Sequence, residues 1–214
     1  MRSFLKVALS ITALLVGINS SANAVSISMT CITNNSGVCS NLAPQLEIDV
    51  TNPGGNQVLF SFLNNGPIIS SETQVYWDDN AGVLLGVATI VGSAGTSYGA
   101  GGTPPNLPSG NTVSFNADFS VTPNAPVSSN GVGIGESLNV TFNLVSGKTF
   151  ADVVAALSSS TLRVGAHVQA IGTSGESDSL VSNGVTTPEP MSMMLLGTGL
   201  FGMVAKKRLG KTVA

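Results

Sequence analysis

LNVTFNL, residues 138–144, sets Leu138, Val140, Phe142 and Leu144 in strict alternation with Asn139, Thr141 and Asn143. A period of two sends successive side chains to opposite faces, so this stretch reads as a strand with one buried and one wetted face. Upstream, Leu46, Ile48 and Val50 alternate with Glu47 and Asp49, which places both carboxylates toward solvent. The same period sets Val113, Phe115, Ala117, Phe119 and Val121 against Ser114, Asn116, Asp118 and Ser120. Residues 58–63 are apolar on both faces apart from Ser61 and read as a central strand. Residues 73–77 and 83–91 read as two more, around the turn Asp78-Asp79-Asn80-Ala81-Gly82, whose residue types tolerate tight backbone conformations. Late in the chain, Leu162, Val164, Ala166, Val168 and Ala170 form a buried face opposite Arg163, His167 and Gln169, and residues 177–182 add a short last strand. Short strands divided by Gly, Pro and Asn clusters predict an all-β domain, an antiparallel β-sandwich of about eight strands.

One helix interrupts the pattern. Phe150, Val153, Val154 and Leu157 fall at i, i+3, i+4 and i+7, and Thr149 with Asp152 three residues later makes a capping-box start. This helix is expected to cover an end or edge of the sandwich. Residues 92–110 are rich in glycine and carry Pro104, Pro105 and Pro108; with only Tyr98 and Leu107 to grip a ligand, they read as a disordered loop. Residues 173–187 read as a tether. No repeat of 20 to 50 residues is evident, which argues against a solenoid or propeller.

Both ends carry addresses. Arg2 and Lys6 precede the apolar residues 7–18, and Ala22 and Ala24 occupy the two small-residue positions of a signal-peptidase site. Residues 1–24 are therefore expected to be a secretory signal peptide, with Val25 as the mature N-terminus. At the other end, Pro188-Glu189-Pro190 is followed by the 15-residue apolar run 191–205 and then by Lys206, Lys207 and Arg208. Proline biases its predecessor toward extended backbone, so Thr187 and Glu189 are held out of a helix. As a helix, residues 191–205 would reach about 22 Å, short of the roughly 30 Å of bilayer hydrocarbon. Gly197, Gly199 and Gly202 weaken it further, while the basic cluster, with Lys211, would stay cytoplasmic.

Those three parts in this order resemble the PEP-CTERM sorting signal of Gram-negative bacteria. The resemblance covers about an eighth of the chain and implies processing by exosortase, a membrane-embedded cysteine transpeptidase that cuts at the motif. It also implies transient membrane anchorage through 191–205, then release to the cell surface or medium. An uncut single-span anchor is the alternative. Residues 162–183 resemble a closing segment seen in some proteins with this signal, a likeness of fold with no function attached. The chain thus divides into signal peptide 1–24, ectodomain 25–187 and sorting signal 188–214.

Six of the eight Lys and Arg lie in the terminal signals, leaving Lys148 and Arg163 in residues 25–190 beside all eleven Asp and Glu, a net charge of −9. Nucleic-acid binding is excluded on this charge. Cys31 and Cys39, the two cysteines, are expected to form a disulfide in an oxidising compartment, worth about 2.5 kcal/mol on loop entropy; two free or metal-binding thiols are the alternative. The single histidine, His167, has no Gly-x-Ser-x-Gly elbow to serve, so no catalytic residue is assigned. Asp78, Asp79 and Asn80 could offer oxygens to calcium but depart from EF-hand spacing and read as a turn, so no metal or other cofactor is expected. Trp77 and Tyr76 point to opposite faces, leaving at most one free to stack on a sugar. The leading expectation is an exported surface or extracellular-matrix protein without enzymatic activity, structural or adhesive in an exopolysaccharide or biofilm setting. A carbohydrate-binding module is second and a secreted hydrolase third. The partners expected are signal peptidase, exosortase and exopolysaccharide.

Overall fold

The computed structural model describes residues 24–186. The expected signal peptide apart from Ala24, Pro188-Glu189-Pro190, the apolar span 191–205 and the basic cluster lie outside them. Ten strands are present: β1 (Ala24–Cys31), β2 (Leu46–Thr51), β3 (Gln57–Asn64), β4 (Ser71–Asp79), β5 (Leu84–Gly92), β6 (Tyr98–Ala100), β7 (Phe119–Pro123), β8 (Ser137–Leu144), β9 (Leu162–Ile171) and β10 (Glu176–Thr186). All pair antiparallel in one sheet of order β5-β8-β3-β2-β1-β10-β9-β4-β7-β6. Short helices are α1 (Cys39–Leu42), α2 (Val127–Asn130) and α3 (Phe150–Ser158).

The fold is all-β and antiparallel, but it is not two stacked sheets of about eight strands. A single ten-stranded sheet curls until its end strands β5 and β6 approach, giving a nearly closed barrel. Alternation dictates which side of each strand is buried and is silent on whether the sheet splits or rolls up. Rolling is driven by aromatic contacts across the interior. Trp77 on β4 meets Phe60 on β3 at 5.6 Å and Phe142 on β8 at 4.8 Å, and Phe142 meets Phe119 on β7 at 5.4 Å, all edge to face. These strands are distant in the sheet order, so each contact spans the barrel. Such pairs add about 0.5–1.5 kcal/mol apiece beyond area burial.

On β2, β3 and β8 the buried residues follow the alternation, with Ile48, Val50, Phe60, Phe62, Val140 and Phe142 fully enclosed and Glu47 and Asp49 exposed. β4 differs, being buried along its whole length. Its inner face belongs to the barrel, and a second layer covers its outer face. That layer comes from residues 103–118, whose last part, 113–118, the alternation assigned to a strand running from Val113 to Val121. Only Phe119–Pro123 pairs in the sheet; Gly110–Val113 form a 3₁₀ turn flanked by Ser109 and Ser114 in the left-handed region, φ 61° and 53°. Phe115 consequently leaves the sheet plane and packs with Leu107 and Tyr76 in a small outer core.

The glycine-rich stretch 92–110 is accordingly ordered. It contains β6, and its later part is pinned by Tyr76 Oη donating to the Pro104 carbonyl at 3.1 Å and Gln74 Nε2 donating to that of Thr103 at 3.2 Å. Gly165 on β9 permits this layer to lie flat, since a Cβ there would sit 2.8 Å from Leu107 Cδ2 and 3.0 Å from Phe115 Cζ.

Residues expected as a tether are instead β10, an eleven-residue strand held between β1 and β9. Its serines and acids hid it from hydropathy, because their partners are hydrogen bonds. On β9 the alternation fails at Ala170, φ 53°, so Ile171 takes the buried position. α3 begins with the capping box: Thr149 Oγ1 accepts from Asp152 N at 3.4 Å and Asp152 Oδ2 accepts from Thr149 N at 2.8 Å. Phe150, Val153, Ala156 and Leu157 are its buried residues, and it packs against β3, β9 and β10. Ala156 is buried on the stripe and Val154 only partly so. Cys31 and Cys39 are disulfide-bonded, Cα–Cα 6.2 Å, and the bridge fastens α1 to the end of β1. Among the described residues, no helix is long and apolar enough to cross a membrane.

Candidate functional site

The two ends of the described chain lie side by side. β1 starts at Ala24, opposite Thr51 of β2, and β10 ends at Thr186, opposite Ser26 of β1. Because β1 and β10 are antiparallel neighbours, the point where the expected signal peptide leaves and the point leading into Pro188-Glu189-Pro190 sit on one rim of the barrel. Ala24, at the expected signal-peptidase site, is an exposed residue within β1, and Val25 is buried against the core. Ala22 lies outside the described residues.

β10 changes character as it nears this rim. Its ladder with β9 ends at Val181 opposite Gly165, and the next β9 amide, Val164 N, turns to the Ser182 hydroxyl at 3.0 Å. Its ladder with β1 continues through Val185 opposite Ile27 and Thr186 opposite Ser26, after a bulge at which Gly184 takes φ 73°. The last residues of β10 therefore form a two-stranded overhang, held further by Ser28 Oγ donating to the Asn183 carbonyl at 3.3 Å.

Elsewhere, the constellations singled out in the sequence are occupied with structural duties. Asp78 binds Arg163 and accepts from Asn80 Nδ2 at 2.6 Å. Asp79 accepts from Val83 N at 3.2 Å and Leu84 N at 2.7 Å, closing the turn. Among the described residues, no cluster of three or more His, Cys, Asp or Glu is placed to hold a metal. Trp77 and Tyr76 are both fully buried, so neither offers a face to a sugar ring.

His167 Nδ1 does lie 3.2 Å from Ser179 Oγ, as cross-strand partners on β9 and β10. Yet Ser179 is 1 % exposed and His167 9 %. Burial pushes the imidazole pKa down, against an opposing pull from Asp178. A nucleophile must be reachable by its substrate, and this hydroxyl is sealed within the layer. Asp178 beside it accepts from Thr33 Oγ1 at 3.0 Å, Asn35 N at 2.6 Å and Ser36 N at 3.3 Å, binding the disulfide loop to β10.

A group the sequence reading passed over is Glu72. A bulge between Glu72 and Gln74 sets Glu72 opposite core residue Val168, turning its carboxyl inward, where it is 1 % exposed and neither oxygen has a hydrogen-bond partner. Burial alone raises its pKa to about 8. Tyr98 Oη donates to the Glu72 main-chain carbonyl. Alternation cannot reveal a bulge, and an acid at a strand's start reads as solvent-facing. A groove of about 480 Å³ opens between β1 and β2, walled by Ser26, Ser28, Glu47 and Asp49 over Ile27 and Ile48. Among the described residues, no aromatic one lines it.

Residues 186–208 match the family model of the PEP-CTERM protein-sorting motif. The match begins at Thr186, the last described residue of β10. No curated protein matches the chain. The motif implies an exported protein, sorted through the membrane toward the cell surface and processed by exosortase.

Proposed function

We propose that this is a non-enzymatic component of the cell surface or extracellular matrix, delivered by exosortase and acting structurally or adhesively among exopolysaccharide. The observation that carries the reading is the sorting motif at 186–208, joined directly to a disulfide-bonded all-β domain. The acidic body supports a secreted role, since a net charge of −9 over residues 25–190 favours solubility and repels anionic lipid once the basic tail is removed. The sealed His167–Ser179 pair and the buried Trp77 and Tyr76 give no support to hydrolysis or to sugar stacking.

Fractionation of cells with and without exosortase tests this function. With the enzyme, the protein is expected in the extracellular matrix and its deletion lowers exopolysaccharide retention; without it, the protein stays in the inner membrane. Matrix retention unchanged by deletion would contradict the structural or adhesive role.

A further inference from the structure

Two connections cross the seam between the end strands of the sheet: residues 93–97 lead from β5 to β6, and residues 124–136 lead from β7 to β8 and carry α2. They are tied to each other, Ser97 N donating to the Asn130 carbonyl and Asn124 N to that of Ser97, both at 2.9 Å. The second is tied to the barrel at Glu72. β7 pairs with β4 only at Val75–Trp77, and at Glu72 that edge of β4 is taken by Val132, which exchanges two main-chain hydrogen bonds with it. The Glu72 carbonyl also accepts from Tyr98 Oη.

Little apolar surface holds this cover down. Within 124–136 only Gly131 and Val132 are buried, α2 buries no residue, and Ile134 is 48 % exposed. Local opening is cheapest where few apolar contacts are lost. Beneath it the Glu72 carboxyl is 1 % exposed, and neither oxygen has a hydrogen-bond partner among the described residues. A neutral carboxyl tolerates such a place, whereas a lone carboxylate must reach water or a counter-charge. On the β9 side lies Val168, fully buried, so the way to water is through the connection.

We infer that residues 124–136 are a pH-operated lid, held shut over Glu72 while its carboxyl carries a proton and lifted from β4 once that proton has left to solvent. The groups around Glu72 give its charge no help. Tyr98 faces it from β6, and beyond Tyr98 lies Glu136, at the lid's own end, accepting from Gly133 N at 2.8 Å. Asp178, next in the same row beyond Val168, is taken up by Thr33, Asn35 and Ser36. His167 is opposite Gln74, bonded to Ser179, and β7 and α2 carry no titratable residue. No cation among the described residues pairs with Glu72. The lid does not depend on how the protein is sorted.

Hydrogen exchange on the protein purified from the producing cells tests it. With the lid shut the carboxyl titrates at about 8, and with the lid open it is solvated and returns toward 4.5, so each pH unit between favours opening about tenfold. After correction for intrinsic exchange, protection of the Ser97, Asn124 and Val132 amides is expected to fall by about that factor per unit from pH 5 to pH 8. It should also lie below that of the β3 and β8 amides and respond less to dilute urea, because a lid exposes little surface. Glu72→Gln is expected to flatten the pH dependence at the lid, and Glu72→Met serves the same end should the amide variant fail to fold. Lid protection that ignores pH in the wild type, or follows it as steeply in the variants, overturns the lid. Lid amides that exchange in step with β3 and β8 at every urea concentration overturn it as well, since the opening is then global unfolding.

Discussion

Arg163 and Asp78 face each other in the β9–β4 register, and the guanidinium donates through Nε, at 3.1 Å, and Nη2 to the single carboxylate oxygen Oδ2. The same guanidinium donates from Nη1 to the Val113 carbonyl at 2.8 Å and stands over the Phe115 ring, 5.3 Å from its centroid. One cation thereby ties the outer layer to the barrel. Replacing it as Arg163→Met strands a carboxylate that is 1 % exposed, and breaking a buried pair this way costs about 3–5 kcal/mol. Urea denaturation is expected to show that loss, with faster proteolysis between residues 105 and 117. A loss below about 1 kcal/mol, the range of surface pairs, would mean that other contacts hold the layer.

Glu72 predicts an alkaline weakness. Its folded pKa of about 8 lies above the ordinary value of 4.5, because burial penalises the charged form. Between those two values the native state holds a proton that the unfolded state has released, so stability falls as pH rises through that window, by about 1.4 kcal/mol per unit. Tyr98, the titratable group facing it, has its own pKa raised by burial and then by Glu72, and stays neutral there. Glu72→Gln should remove this slope, so its stability advantage over the wild type grows from pH 5 to pH 8. Parallel stability curves would contradict the buried, unpartnered carboxyl.

Gly131 allows a close approach. Glu72 N donates to the Val132 carbonyl at 3.0 Å and Val132 N to that of Glu72 at 2.9 Å, and a Cβ on Gly131 would lie 2.7 Å from the Glu72 oxygen. Gly131→Ala should cost about 2–3 kcal/mol, because the Ser71 hydroxyl it also meets can turn away but the Glu72 carbonyl cannot. Hydrogen exchange at Glu72 and Val132 should quicken; unchanged exchange would show that the loop shifts without breaking the bridge.

Asp178 makes the opposite prediction in acid. Burial pushes its carboxyl up, but hydrogen bonds from Ser36, Asn35 and Thr33 outweigh that and hold it below the usual carboxylate range. Its contribution is present above the ordinary value of 3.8 and disappears as pH falls through the lowered one. Asp178→Ala is expected to lose about 2 kcal/mol at pH 7, with the difference from wild type shrinking toward pH 2. A difference independent of pH would assign the loss to packing.

Strand content was legible wherever alternation was clean, as along Leu138–Leu144 and Leu46–Val50, because one wetted face leaves a regular polar imprint. Ser177–Ser182 gave only the middle of β10, since Asp178 and Ser179 are buried by hydrogen bonds that no hydropathy pattern records. Val113 and Phe115 fit an alternation that the chain follows only from Phe119, because the 3₁₀ turn at Gly110–Val113 and the left-handed Ser114 put this segment on the outer face. Barrel closure was invisible, because it depends on Trp77 meeting Phe60 and Phe142 from strands far apart in the sheet. The motif at Pro188-Glu189-Pro190 was legible from order alone, by its place ahead of an apolar run and a basic cluster.

Intact-mass analysis of the mature protein, as wild type and as Glu189→Ala, tests the sorting assignment at its root. The wild type should begin at Val25 and lack Lys206, Lys207, Arg208 and everything after them, while the variant keeps them. A native wild-type protein that still carries this basic tail would contradict it.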